Sequence, residues 1–345
     1  MELFDAVTIA RLQKRYRHWT LDQRPKLWHV ALSDQYEQLR AWLRGEVAAL
    51  ASGADRLVPK LHDAGSFPNA FHELCVASLL RVSGRAIGYE PDLEGMTPDL
   101  VAHSPAQSDR LLLAEVWTRN RPREAVARGR QWLALKARFE QIPVPVRLVV
   151  VEGPGERPAP ADSALSKQIY QSVRQWLLSP LTQRSSVHHV EGYTFAIVGH
   201  AAGLQVEFAA PGGAGAVASA DQLLGAIAVK VNRYCQAVTR HDAELLVVTG
   251  AAEGTALSED LLRSTLAGRN VVSMAFTAAD IGTLGEVTTQ MRANEDPPAL
   301  DPALSAVAWL DADYDKPPGR LSIYRNPAAA RPFQDLRSEG VSIEP

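Results

Sequence analysis

The run RLLLAEVWT, residues 110–118, constrains this chain more than any other stretch, because it sets a carboxylate, Glu115, inside an apolar strand. A carboxylate buried in such a strand is costly unless a cation, a hydrogen-bond donor or a metal meets it. The fold must therefore bring Glu115 a partner. Upstream, Asp99 follows Pro98 and precedes apolar Leu100 and Val101, which places it on a neighbouring strand. The two acids are 16 residues apart, room for one strand, a turn and most of another. A second Pro-Asp pair, Pro91-Asp92, runs into LEGM and reads as loop. Two carboxylates on adjoining strands can grip a divalent cation, which prefers oxygen ligands.

The pattern around these acids is α/β. With 345 residues, 46% hydrophobic and 22% charged, the chain has the composition of a globular protein with a sizeable core. Residues 6–50 read as helices, with Leu12, Tyr16 and Trp19, then Leu39, Leu43 and Val47, at helical spacing. No motif appears there, and residues 1–65 are expected to form a helical extension, a cap or a dimer surface. NAFHELCVASLLRVSG is then a helix with Glu73 beside its buried stripe, and RAIGYEPD, TPDLVAHS and RLLLAEVWT are three strands. PREAVARGRQWLALKARFEQI is a helix with Pro122 in its first turn. VPVRLVVVEG is a strand so apolar that coverage on both faces is expected. Downstream, SALSKQIYQSVRQWLLS, ADQLLGAIAVKVNRYCQAV and SEDLLRSTLAG read as helices. GYTFAIVG and GLQVEFAAP read as a strand pair, and AELLVVTG, NVVSMAF, SAVAWLDA and RLSIYRNP as further strands. No linker forces a boundary, so residues 66–345 are taken as one α/β domain.

Glu73, Pro98-Asp99 and Glu115, in this order of elements, resemble the PD-(D/E)xK phosphodiesterase superfamily over about residues 69–152. The resemblance implies a restriction-endonuclease-like core of helix, three strands, helix and strand, with the N-terminal helical extension and further C-terminal α/β elements added. It implies Mg²⁺ or Mn²⁺ held by Asp99, Glu115 and the Val116 carbonyl, with Glu73 holding a water or a second metal. The implied activity is hydrolysis of DNA phosphodiester bonds in bacterial defence or repair, by a homodimer that cuts both strands. The family places a lysine two residues after the second acid, where this chain has Trp117. An indole offers one N–H donor and no base. By strand alternation Trp117 shares a face with Glu115. Relocated lysines occur in the superfamily, so the missing cation is sought in Lys136 on the following helix, with Arg119 and Lys60 as other candidates. An arginine stays charged and cannot serve as the base. The alternative is a protein of nuclease fold that has lost its chemistry and binds nucleic acid or scaffolds a partner.

Phosphate needs a basic surface. The net charge of -3 requires that such a surface be local. Arg119, Arg121, Arg123, Arg128 and Arg130, followed by Lys136 and Arg138, contain only Glu124 among them as an acid. This stripe is expected to follow a DNA backbone, and the plainer reading is a solvated helix face. Cys75 and Cys235 form no zinc spacing and fit a reducing, cytoplasmic setting. No signal-peptide pattern and no apolar stretch of about 20 residues is present, so no membrane partner is expected. GPGERP, PGGAGA and VTGAAEG lack nucleotide-binding fingerprints. His188-His189, and His72 with Cys75, lack the ligands of a zinc site.

Overall fold

A computed structural model describes residues 3–19, 21, 24–104, 107–120, 123–153, 163–180, 185–209, 219–252, 257–268, 297–334, 336 and 339–344, the side chains of 104, 107–110, 123–128 and 152 excepted. In chain order the elements are α1 (Ala6–Tyr16), α2 (Lys26–Leu32), a 3-10 turn (Asp34–Tyr36), α3 (Glu37–Ala49), α4 (Ala54–Leu61), α5 (Phe67–Val82), β1 (Ala86–Tyr89), β2 (Leu100–Ser104) and β3 (Gln107–Arg119). There follow α6 (Arg123–Phe139), β4 (Val146–Glu152), α7 (Ser163–Leu178), β5 (Val187–Val190), β6 (Tyr193–His200) and β7 (Glu207–Ala209). The chain continues through α8 (Ala220–Arg240), β8 (Glu244–Ala251), α9 (Glu259–Leu266), β9 (Ala306–Asp311), β10 (Arg320–Arg325) and β11 (Val341–Glu344).

Seven strands form one mixed sheet in the order β1-β2-β3-β8-β9-β10-β11. β3, β8 and β9 run parallel, and β1-β2-β3 is an antiparallel meander. Side chains alternate across the sheet and meet helices on both faces. Leu112, Ala114 and Val116 of β3 pack with Phe67, Phe71 and Leu74 of α5 and with the N-terminal helices. Leu113 and half-buried Trp117 point the other way, into a cluster with Leu223, Ile227, Val231 and Tyr234 of α8. The N-terminal extension shares the first core and also covers the sheet edge at β1. Ala51 N–H donates to the Ile87 carbonyl (2.8 Å), and Tyr89 N–H to the Ser52 carbonyl (3.0 Å), so the strand edge is not left open. Gly53 lets the chain leave that edge. Its φ is +83°, and a Cβ there would lie 2.0 Å from the Tyr89 carbonyl oxygen.

Between β3 and α8 the chain builds a second unit. β5-β6-β4-β7 is a separate four-stranded sheet, backed by α6 and α7 through Trp132, Phe139, Ile169, Val173, Tyr193 and Phe208. This corrects the expectation for β4. It pairs with β6 and β7, not with β3, and it is covered on one face only: Val146 and Leu148 are buried while Arg147 and Val151 are exposed. The helix–strand pair that follows β3 in the main sheet is α8–β8. Seven of the eight residues of β8 are buried, the burial foreseen for β4. β7 pairs with β4 and not with β6, whose hairpin partner is β5, a strand not anticipated. The expected strand NVVSMAF lies outside the described residues. No described helix is long and apolar enough to cross a membrane.

Candidate functional site

The ladder between β2 and β3 stops at Leu100 opposite Ala114, while β3 runs on to Arg119 beside β8 alone. The strands fork there, and Asp99, in the bend just before β2, sits at the mouth. Two hydrogen bonds replace the missing rungs. Asp99 N–H donates to Glu115 Oε1 (2.9 Å), and Val116 N–H donates to Asp99 Oδ2 (2.8 Å). Each acid is thus aimed by the backbone of the other's strand. The two carboxylates meet at this fork. Asp92, set aside on sequence grounds, accepts Gly95 N–H (2.7 Å) and closes a turn.

The partner that Glu115 requires is Lys230, from α8. Its Nζ lies 2.6 Å from Glu115 Oε2 and 3.6 Å from Asp99 Oδ2. Glu115 is completely buried, and the Lys230 side chain is 20% exposed. Burial, then the Asp99 charge, hold the Glu115 carboxyl above its ordinary range, with Lys230 opposing them. Burial pulls the other way on Lys230, but Asp99 and Glu115 outweigh it and keep the ammonium above its usual pKa. Tyr234, one turn farther along α8, donates its hydroxyl to the Thr97 carbonyl (2.9 Å) and so fixes the helix against the segment before Asp99.

A second acid–lysine group lies on the α5 side. Glu73 is buried and accepts the Tyr89 hydroxyl, and Lys60 Nζ is 3.9 Å from it and 2.6 Å from Glu90 Oε1. Burial first, and Asp99 second, push the Glu73 carboxyl up to about 7. Glu90 has φ +42°, a left-handed backbone uncommon outside glycine. Its N–H bonds to the Asp99 carbonyl (3.0 Å) and its carbonyl accepts Arg56.

The other expected residues fall as follows. Lys136 is not the cation of this site: it lies on α6 of the second unit, where it pairs with Glu140 at 3.5 Å. Arg119 is half-buried at the end of β3 and donates to Gln222 Oε1 (3.3 Å). Arg130 is exposed, its guanidinium 4.5 Å from the Trp19 ring centre. Arg121 and the side chains of Arg123 and Arg128 lie outside the described residues. His188 and His189 hydrogen-bond to Ser172 (2.9 Å) and Thr194 (3.0 Å), local partners that give them structural roles. His72 is buried against the Thr118 hydroxyl (3.0 Å), and burial lowers its pKa to about 4.

Lys230 was not among the sequence candidates, yet it left a signal. The buried stripe of α8 is Leu223, Ile227, Val231 and Tyr234, and position 230 lies three residues after 227 and four before 234, on that stripe. A lysine on a buried stripe has the same need as a glutamate in a buried strand. Among the described residues no three His, Cys, Asp or Glu side chains gather as a metal-binding group. The oxygens offered here are two carboxylates and one carbonyl. Within a strand residue N–H and C=O leave on the same side, so the Val116 carbonyl faces the fork into which its N–H points. Such oxygens are what Mg²⁺ or Mn²⁺ would take, with the Lys230 ammonium already set against both carboxylates. No protein-family model, curated protein or solved structure matches the chain.

Proposed function

We propose that this chain is a divalent-metal-dependent nuclease of the PD-(D/E)xK type whose lysine has moved to α8. The observation that carries the reading is Lys230 Nζ at 2.6 Å from Glu115 and 3.6 Å from Asp99, beside the position where Trp117 replaces the usual lysine. The order helix, three strands, helix and strand in α5, β1, β2, β3, α8 and β8, with α6 to β7 taken as an insertion, supports this reading. Asp99, Glu115 and the Val116 carbonyl would hold the metal. When bound, the metal would polarise a phosphoryl oxygen and make a coordinated water more acidic. Lys230, kept protonated by the two acids, would donate to the phosphate and offset charge that grows in the transition state. Asp99 N–H and Val116 N–H hold the two carboxylates in one orientation, so little reorganisation is needed as substrate arrives.

The test is cleavage of plasmid DNA with Mg²⁺ or Mn²⁺. Metal-dependent nicking that disappears in Asp99→Ala supports the proposal. A wild-type protein that binds DNA and cuts none with either metal overturns it. The second reading, a nuclease fold without chemistry, is favoured by the same ion pair, which already satisfies Glu115 as a structural lock, and that result would select it.

A further inference from the structure

We propose that the exposed basic face of α1 is a binding surface for a nucleic-acid phosphate backbone. The inference rests on the nuclease reading for its purpose, though not for its test. Residues 3–19 contain Arg11, Lys14, Arg15 and Arg17 against one acid, Asp5, so 4 − 1 = +3 in a chain of net charge -3. Asp5 is committed to the helix start, where it accepts Thr8 N–H (2.7 Å). All four cations are exposed, while Thr8, Leu12 and Tyr16 bury the opposite stripe. Arg11 acts on the charge of Asp5, while Arg17 donates to His18 (2.7 Å) and Arg15 lies 5.5 Å from the Tyr16 ring centre. Like charges three and four residues apart weaken a helix, a local cost that an anionic partner removes.

Position adds a second argument. Arg11 and Arg15 border a groove with Val58, Pro59 and His62 of the α4 region. Lys60, the residue after Pro59, reaches Glu73 and Glu90, the acid–lysine group on the α5 side. Asp63, also in the groove, is held by Gly65 N–H (3.1 Å) and Ser66 N–H (3.0 Å). Beyond the end of α1, the Arg130 guanidinium of α6 lies 4.5 Å from the Trp19 ring centre. A lipid surface fits the basic face less well, because a helix lying in a membrane interface exposes an apolar face, and on α1 Leu12 and Tyr16 are buried, with Val7 the exposed large apolar side chain. Arginines also pair bidentately with phosphate oxygens.

The experiment measures binding of a fluorescently labelled DNA duplex in EDTA over a salt series, for wild type and for the combined variant Arg11→Gln, Lys14→Gln, Arg15→Gln and Arg17→Gln. The expected result is at least tenfold weaker binding, with a plot of log K against log salt shallower by up to about 3.6, or ~0.9 for each phosphate no longer neutralised. The pair Lys14→Gln and Arg17→Gln, which leaves the groove-lining Arg11 and Arg15 in place, gives a smaller change of the same sign and stands in if the fourfold variant misfolds. Unchanged affinity and slope overturn the proposal, as does absence of duplex binding by wild type. Binding to phosphatidylserine vesicles that needs these residues, without duplex binding, overturns it in favour of a lipid surface. Failure of the nuclease reading looks different: α1-dependent binding persists while Mg²⁺ and Mn²⁺ produce no cleavage.

Discussion

Among the helix–strand pairs that follow β3 in the sequence, α6–β4 and α8–β8 each offer a lysine on the helix and an apolar strand behind it. They differ in what the strand can bury. β8 is buried at seven of eight positions and lies between β3 and β9. β4 carries Arg147 at a solvent position and backs onto helices on one face only. A strand covered on both faces belongs in the centre of a sheet, and one with an open face belongs in a two-layer unit. The same difference decides which lysine reaches the carboxylates. Lys230 rides the helix that packs on β3, and Lys136 rides the helix that packs on the second sheet.

The sharpest way to break this comparison is to remove the two lysines in turn. Lys230→Ala is expected to lower Mg²⁺-dependent cleavage by about 10²- to 10⁴-fold, while Lys136→Ala leaves the rate within a factor of about two, since its Glu140 pair is a surface contact. Equal losses, or a greater loss in Lys136→Ala, would return the role to α6. Because Lys230→Ala strands a buried carboxylate, at a cost of about 3–5 kcal/mol, thermal melts accompany the kinetics, and Lys230→Arg is expected to keep the fold while cutting more slowly.

The strands can be contrasted by stability. Leu246→Ala in β8, a fully buried position, is expected to cost about 2–5 kcal/mol in urea unfolding. Val151→Ala in β4, 49% exposed, is expected to stay within about 0.5 kcal/mol. Similar costs would mean that β4 is covered in solution by something beyond this chain's described residues.

A smaller effect separates the site-bearing sheet by pH. Glu73 is raised from 4.5 to about 7, so between those values the native state holds a proton that the unfolded state has released. Stability therefore falls as pH rises through that window, by up to about 1.4 kcal/mol per pH unit. His72, lowered from 6.5 to about 4, acts with the opposite sign in an overlapping window, its contribution being lost as pH falls. Subtracting the profile of Glu73→Gln from that of wild type isolates the carboxyl. A flat difference curve would place Glu73 in a more solvated setting than α5 and Tyr89 provide.

Much of the site was readable from residues alone, for a local reason. Glu115 announced itself as a charge in an apolar run, and Asp99 as an acid at the start of the next strand. The antiparallel meander that joins them is short-range, so a 16-residue separation sufficed. The pairing of β3 with β8 was not readable in that way. Parallel strands need a crossover, and here the crossover is interrupted by a second unit whose own helix and strand satisfy the same pattern. Arg147 was the residue that argued against β4 as a central strand. Lys230 was the residue on α8 that matched Glu115, 115 positions away.

The sequence by itself determined that Glu115 would be buried, that it would need a partner, and that Asp99 would stand next to it, because alternation and hydrophobicity act over a few residues. Only the tertiary structure decided which cation answers that need. The choice depends on which helix and strand pack against β3, and that is settled by burial over the whole sheet, a sum no single segment displays.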